Sequence, residues 1–151
     1  MTSSNAPTFA VVMLLTGIGI PILAALNGGL GARLGSPLAA STILFGLAFL
    51  IAATGALATG TLGQIRFAGD IPFHFYLGGL FVAFYVISVT FIAPKFGVGN
   101  AIFFVLVGQL VSAAVIDHFA LFGSMRFPVD AKRLAGIALM VAGVWLARRT
   151  G

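Results

Sequence analysis

Asp117 and His118 are the one place in the sequence where an acid stands next to an imidazole. In a proton-coupled membrane protein, a titrating carboxylate beside a ring that switches near neutral pH could load and release a proton. Successive residues diverge by about 100° on a helix, so the two side chains cannot form a dyad with each other. Counting about 20 residues from Val98 puts them at the exit of an apolar run and away from its middle. Two roles stay open: an interfacial anchor, with Asp117 facing Arg126 or the headgroups, and a proton-coupling site. No nucleophile–base–orienter set is visible, and no H-E-x-x-H, P-loop or G-x-S-x-G pattern occurs. With no Cys there are no disulfides, thiolate metal sites or thiol nucleophiles. We therefore expect neither an enzyme nor a bound cofactor or metal.

The other polar candidates lie inside apolar runs, where an unpartnered polar group is costly and usually functional. Gln109, Ser112 and Ile116 are spaced i, i+3, i+7 and share a helix face. Gly78, Phe81, Tyr85, Ser88 and Ile92 form a second stripe. Together with Asn27 these give a candidate solute lining of Asn27, Tyr85, Ser88, Gln109 and Ser112. The plainer alternative is that such side chains hydrogen-bond a neighbouring helix, with an average worth below about 1 kcal/mol.

The elements that must position these residues follow from composition. Of 151 residues, 60% are apolar and 7% charged, with three Asp and no Glu. Soluble domains carry roughly 25% charged residues. A mean hydropathy of +1.16 in 15.5 kDa exceeds what a small globule could bury, so lipid is the solvent. Charge-free runs cover Met1–Ala32, Leu34–Ile65, Ile71–Pro94, Phe96–Ile116 and Leu134–Ala147. Continuous runs exclude a β-barrel, whose strands alternate. We expect an all-α integral membrane protein forming a single membrane domain over 1–151, with spans at about 7–30, 37–60, 72–92, 98–116 and 131–148. Five crossings take about 100 residues, which leaves tails and short connections and no attached soluble domain. The N-terminus lacks the basic region and cleavage site of a signal peptide, so the first span is read as mature protein.

The punctuation supports these limits. Gly17, Gly19 and Pro21 interrupt the first span, and Asn27–Gly31 (NGGLG) should loosen its end. Ser36 and Pro37 suit the N-cap and first turn of the second span. His74 and Tyr76 sit at interfacial depth at the start of the third. Pro94 to Gly97 reads as a tight turn into the fourth. The last charge-free run reaches only ~21 Å, but Asp130 is a good N-cap, and Lys132, Arg133, Arg148 and Arg149 can snorkel. Four spans with an interfacial fifth helix is the alternative. A face of Gly136, Met140, Gly143 and Ala147 offers close helix contact, either to a second chain or within its own bundle.

The basic residues stand singly or in pairs at the ends of apolar runs, which reads as membrane anchoring and not as nucleic-acid binding. With five spans, Arg66, Arg126, Lys132 and Arg133 share one side, and Arg33, Lys95, Arg148 and Arg149 the other. This balance leaves orientation open under the positive-inside rule. Either one or two lipid-proximal charges fix a single orientation, or the chain inserts both ways. In the second case it pairs head-to-tail with itself, making the inverted repeat on which many transporters are built.

Three stretches carry a family resemblance: NGGLGARLGSPLAA (Asn27–Ala40), GQLVSAAVIDHF (Gly108–Phe119) and RLAGIALMVAGVWL (Arg133–Leu146). In this order within a five-span chain they resemble the small YdcZ-like family, a half-length branch of the drug/metabolite transporter superfamily. The resemblance covers about Met13 to Leu146. It implies a multi-pass protein of the bacterial inner membrane, one half of an inverted-repeat transporter. Such a protein works as an antiparallel homodimer, or with an oppositely oriented paralogue, on a small-molecule substrate. Leu23 stands where the general look of the family has Gln. Small multidrug exporters of the same superfamily carry a Glu in their first helix, and this chain has none, so cation/proton antiport by that route lacks its carrier group. A passive channel and a non-transporting membrane partner are the alternatives to a transporter working by alternating access.

Overall fold

The computed structural model describes residues 5–65 and 69–147. Arg66, Arg148 and Arg149, three of the loop and tail charges counted above, lie outside them. All regular structure among the described residues is helical: α1 (Ala6–Leu34), α2 (Pro37–Ala58), α3 (Gly78–Phe96), α4 (Val98–Phe119) and α5 (Ala131–Ala147), with short 3-10 turns between them. Four stretches are long and apolar enough to cross a membrane: α1, α2, Phe73–Phe96 and α4. The chain is an all-α membrane protein of four such helices plus a fifth. At 17 residues, α5 spans about 25 Å, somewhat less than a typical hydrocarbon core. The chain divides into two compact units, Met1–Lys95 and Phe96–Gly151.

In the first unit the NGGLG stretch does not loosen α1. The helix runs unbroken through Pro21 and the glycines for 29 residues, to Leu34. Lipid offers no water to satisfy freed backbone groups, so leaving the helix early would cost more than the glycines' poor helix propensity. The helix stops at Gly35, whose left-handed backbone (φ 63°) closes it. The Gly35 and Ser36 N–H groups donate to the carbonyls of Ala32 and Gly31, at 3.4 and 3.0 Å. Ser36 then caps α2 as expected, its hydroxyl accepting from the Ala39 N–H at 3.1 Å, with Pro37 in the first turn.

α1 buries Ala24, Asn27, Gly28 and Gly31, and α3 buries Val86, Val89, Thr90 and Ala93. Both sets follow the i, i+3, i+4, i+7 spacing of a helix face. The Phe73–Leu77 turn leads into α3, and Pro94 lies inside that helix, not in a turn. The expected Pro94–Gly97 turn shrinks to Gly97 alone, at φ 89°. Pro94 contributes an apolar surface that the tight helix contact uses: a Cβ placed on Gly28 would lie 3.1 Å from its Cγ.

The second unit pairs α4 with α5. α4 continues three residues past the expected Ile116, so Asp117 and His118 form its last turn. Ala120 ends it in left-handed conformation. Asp130 caps α5 as expected, its carboxylate accepting from the Arg133 N–H at 2.7 Å.

Candidate functional site

Five of the side chains singled out in the sequence, Asn27, Tyr85, Ser88, Asp117 and His118, fall into three places. The first is the junction of α1, α2 and α3. Asn27, 4% exposed, donates from Nδ2 to Thr90 Oγ1 at 2.6 Å. Thr90 in turn donates to the Val86 carbonyl at 2.7 Å. Asn27 thus has the helix-pairing role that competes with solute lining. Its acceptor Thr90 was missed. The signal lay in the small and β-branched stripe Val86, Val89, Thr90, Ala93, which repeats the spacing of Ala24, Asn27, Gly28, Gly31. Beside this junction a cleft of about 290 Å³ is lined by Gly31, Gly35, Pro37, Thr90, Phe91 and Lys95, among others. The Lys95 ammonium lies 3.5 Å over the Phe91 ring.

The pair gives a direct test. Thr90→Val keeps shape but strands the Asn27 amide, and should lower unfolding stability by about 1–2 kcal/mol. Adding Asn27→Leu removes the stranded donor, so the double variant should recover part of the loss. A double-mutant cycle on detergent-solubilised protein reads this, and strictly additive effects would mean that the two side chains are not coupled.

The second place is the other stripe on α3. Tyr85 and Ser88 are partly buried, whereas Gly78, Phe81 and Ile92 are exposed. The packed face is therefore turned by one residue, about 100°, from the stripe expected to be lined up. The Tyr85 hydroxyl is itself buried and has no hydrogen-bond partner, and it is the one such side-chain atom among the described residues. Tyr85 lies twelve residues from the start of the Phe73–Phe96 stretch and eleven from its end. It therefore belongs to the middle of that span.

The third place is the C-terminal end of α4. The Asp117 carboxylate accepts from Arg133 Nη2 at 2.6 Å, not from Arg126. Both side chains are about one-third exposed (33% for Arg133, 30% for Asp117), so solvent screening keeps the pair's worth below about 1 kcal/mol. Arg133 also donates to the Phe127 carbonyl at 3.1 Å, and the Phe127 N–H donates to the Asp117 carbonyl at 3.0 Å. His118 Nδ1 accepts from the Val129 N–H at 3.0 Å, which places the ring proton on Nε2. Asp117 and His118 point into different environments, as their adjacency requires, and both tie the 120–130 connection to α4. An open depression of about 590 Å³ adjoins the ion pair. No group of three or more His, Cys, Asp or Glu that could hold a metal occurs among the described residues.

Gln109 and Ser112 are exposed on α4. On α5, Gly143 and Met140 are exposed and Gly136 partly so. A Cβ built at Gly136 or Gly143 meets nothing within 4 Å, so this face is open within its own unit.

Comparison with protein families matches residues 8–146 to the family described as "Putative inner membrane exporter, YdcZ". No curated protein matches the chain. No solved structure matches it.

Proposed function

The chain belongs to the YdcZ family of inner membrane exporters and is a multi-pass inner membrane protein; from that premise we propose that it exports a small molecule as a dimer of five-helix units working by alternating access. The observation that carries this is how little interior one chain makes. Only 6 to 17% of the most apolar stretch of each long helix is buried. A single copy has too few walls to enclose a solute path, and a second copy supplies the rest.

Three features support an inverted arrangement. The fifth helix makes the number of crossings odd, and the basic residues that flank it in the sequence suit a span shorter than the hydrocarbon core. The loop charges divide four and four in the sequence, so neither orientation is favoured. The small-residue face of Gly136, Met140 and Gly143 stands open for close contact with an oppositely oriented partner, a second copy or a paralogue. Tyr85 and Ser88 of α3 face the solute. Gln109 and Ser112, exposed on an apolar helix, are polar groups that lipid would not solvate, and the second chain gives them partners.

The test places single Cys residues at Ser3 and at Thr150 of this Cys-free sequence and labels intact cells with an impermeant reagent. Each site should react from both sides in similar amounts, and purified protein in liposomes should give saturable flux. Labelling of both sites from one and the same side would remove the fifth crossing and the inverted dimer with it.

A further inference from the structure

We propose that the transported solute is uncharged and is held at mid-span through a hydrogen-bond acceptor, a carbonyl or hydroxyl oxygen, that takes the Tyr85 hydroxyl proton. This rests on the transporter reading above and adds the substrate class.

The first observation is the hydroxyl itself. It is buried, has no partner, and belongs to a residue at the centre of a membrane-length stretch. Leaving a buried hydroxyl unbonded costs about 1–3 kcal/mol. Its neighbour Thr90, five residues on, shows how readily such a group is satisfied: that hydroxyl bonds the carbonyl four residues back. Tyrosine is too long and rigid to fold back in this way, so its donor projects away from its own helix. Ser88 follows one turn later on the same face and supplies a second hydroxyl.

The second observation is where the charges are. The chain has three acidic residues, and each is accounted for away from mid-span. Asp70 lies in the connection before α3, Asp117 is paired with Arg133, and Asp130 caps α5. The basic side chains described in the first unit are at helix ends too. Arg33 bonds the Gly29 carbonyl in the last turn of α1, and Lys95 covers Phe91 in the last turn of α3. Dehydrating an ion without a counter-charge is prohibitive in a medium of low dielectric constant. A neutral phenol hydroxyl compensates neither a cation nor an anion, but it matches a neutral oxygen acceptor.

The experiment measures uptake into proteoliposomes containing full-length wild type or Tyr85→Phe. The probes are radiolabelled uridine, N-acetylglucosamine and glucose as neutral solutes, ethidium as cation and benzoate as anion. Wild type should take up at least one neutral probe saturably and the ions at background rate. Tyr85→Phe should raise KM for that probe about tenfold, the effect of about one lost hydrogen bond. It should unfold at the same temperature or higher, since an unbonded hydroxyl has been removed. Saturable uptake confined to ethidium or benzoate would overturn the substrate class while leaving the transporter intact. An unchanged KM in Tyr85→Phe would overturn the role of the hydroxyl. Absence of saturable flux for every probe would overturn the transporter reading, and the substrate class with it.

Discussion

Gly31→Leu should yield almost no monodisperse protein in detergent, while Gly29→Leu, two residues away on the same helix, should purify and unfold like wild type. A Cβ added at Gly31 would lie 3.2 Å from the Cα of Pro37, 3.2 Å from Cγ2 of Thr90 and 3.7 Å from Cβ of Ala40. Those atoms belong to α2 and α3, so the new side chain would have to part α1 from both helices at once. Nor can α2 swing aside. Only Gly35 and Ser36 join it to α1, and the Ser36 N–H is bonded to the Gly31 carbonyl. Overpacking a filled core typically costs 1–3 kcal/mol. Here one contact is backbone, and separation would also strain the buried Asn27–Thr90 bond, so the loss should reach the top of that range or exceed it. At Gly29 the added atom meets only the Arg33 guanidinium at 3.2 Å, the far end of a flexible side chain. Size-exclusion profiles and thermal unfolding of the two variants decide the matter. Equal behaviour would mean that the three helices do not meet at Gly31.

The same residues explain what the sequence could and could not tell. Ser36–Pro37 and Asp130 were legible because a cap is a local bond, made within three residues of itself. The end of α1 departs from the sequence expectation because glycine frees the chain in water, and α1 is not in water. In lipid the backbone has nowhere else to bond, and the missing side chain is what lets α3 approach. Thr90 was overlooked for a related reason. α3 is apolar around its whole circumference, so its periodicity gives no polar face to fix its rotation, and the packed face lies one residue on from the Tyr85 and Ser88 stripe. Only the match with the α1 stripe, 63 residues distant, fixes the packed face. Arg133 was missed as the partner of Asp117 because α4 runs one turn further than its apolar run suggests, and the connection folds back to bring the start of α5 alongside. Tyr85 and Ser88 were legible as polar groups in an apolar run. That the Tyr85 hydroxyl is buried without a partner could come only from the fold.

Gly143→Leu combined with Gly136→Leu should abolish crosslinking between copies and, with it, transport, while the unfolding temperature of the single chain stays where it was. In lipid, helices gain nothing from hydrophobic exclusion, so contact depends on close backbone approach and the dispersion it permits. Leucine at either position would hold a partner helix off by the width of its side chain. Within the chain's own unit nothing lies within 4 Å of a Cβ added at either position, so the substitutions start from open space. α5 is anchored to α4 elsewhere, through Asp117 and Arg133 and through the capping bond of Asp130. In the proposed dimer, fold and assembly therefore separate at this face, unlike at Gly31, where three helices of one chain converge. The measurements are crosslinking in membranes, flux in proteoliposomes and thermal unfolding of each variant. A lowered unfolding temperature with crosslinking retained would assign the face to packing inside the chain's own bundle. Lost crosslinking with full transport would make one chain sufficient and end the dimer mechanism.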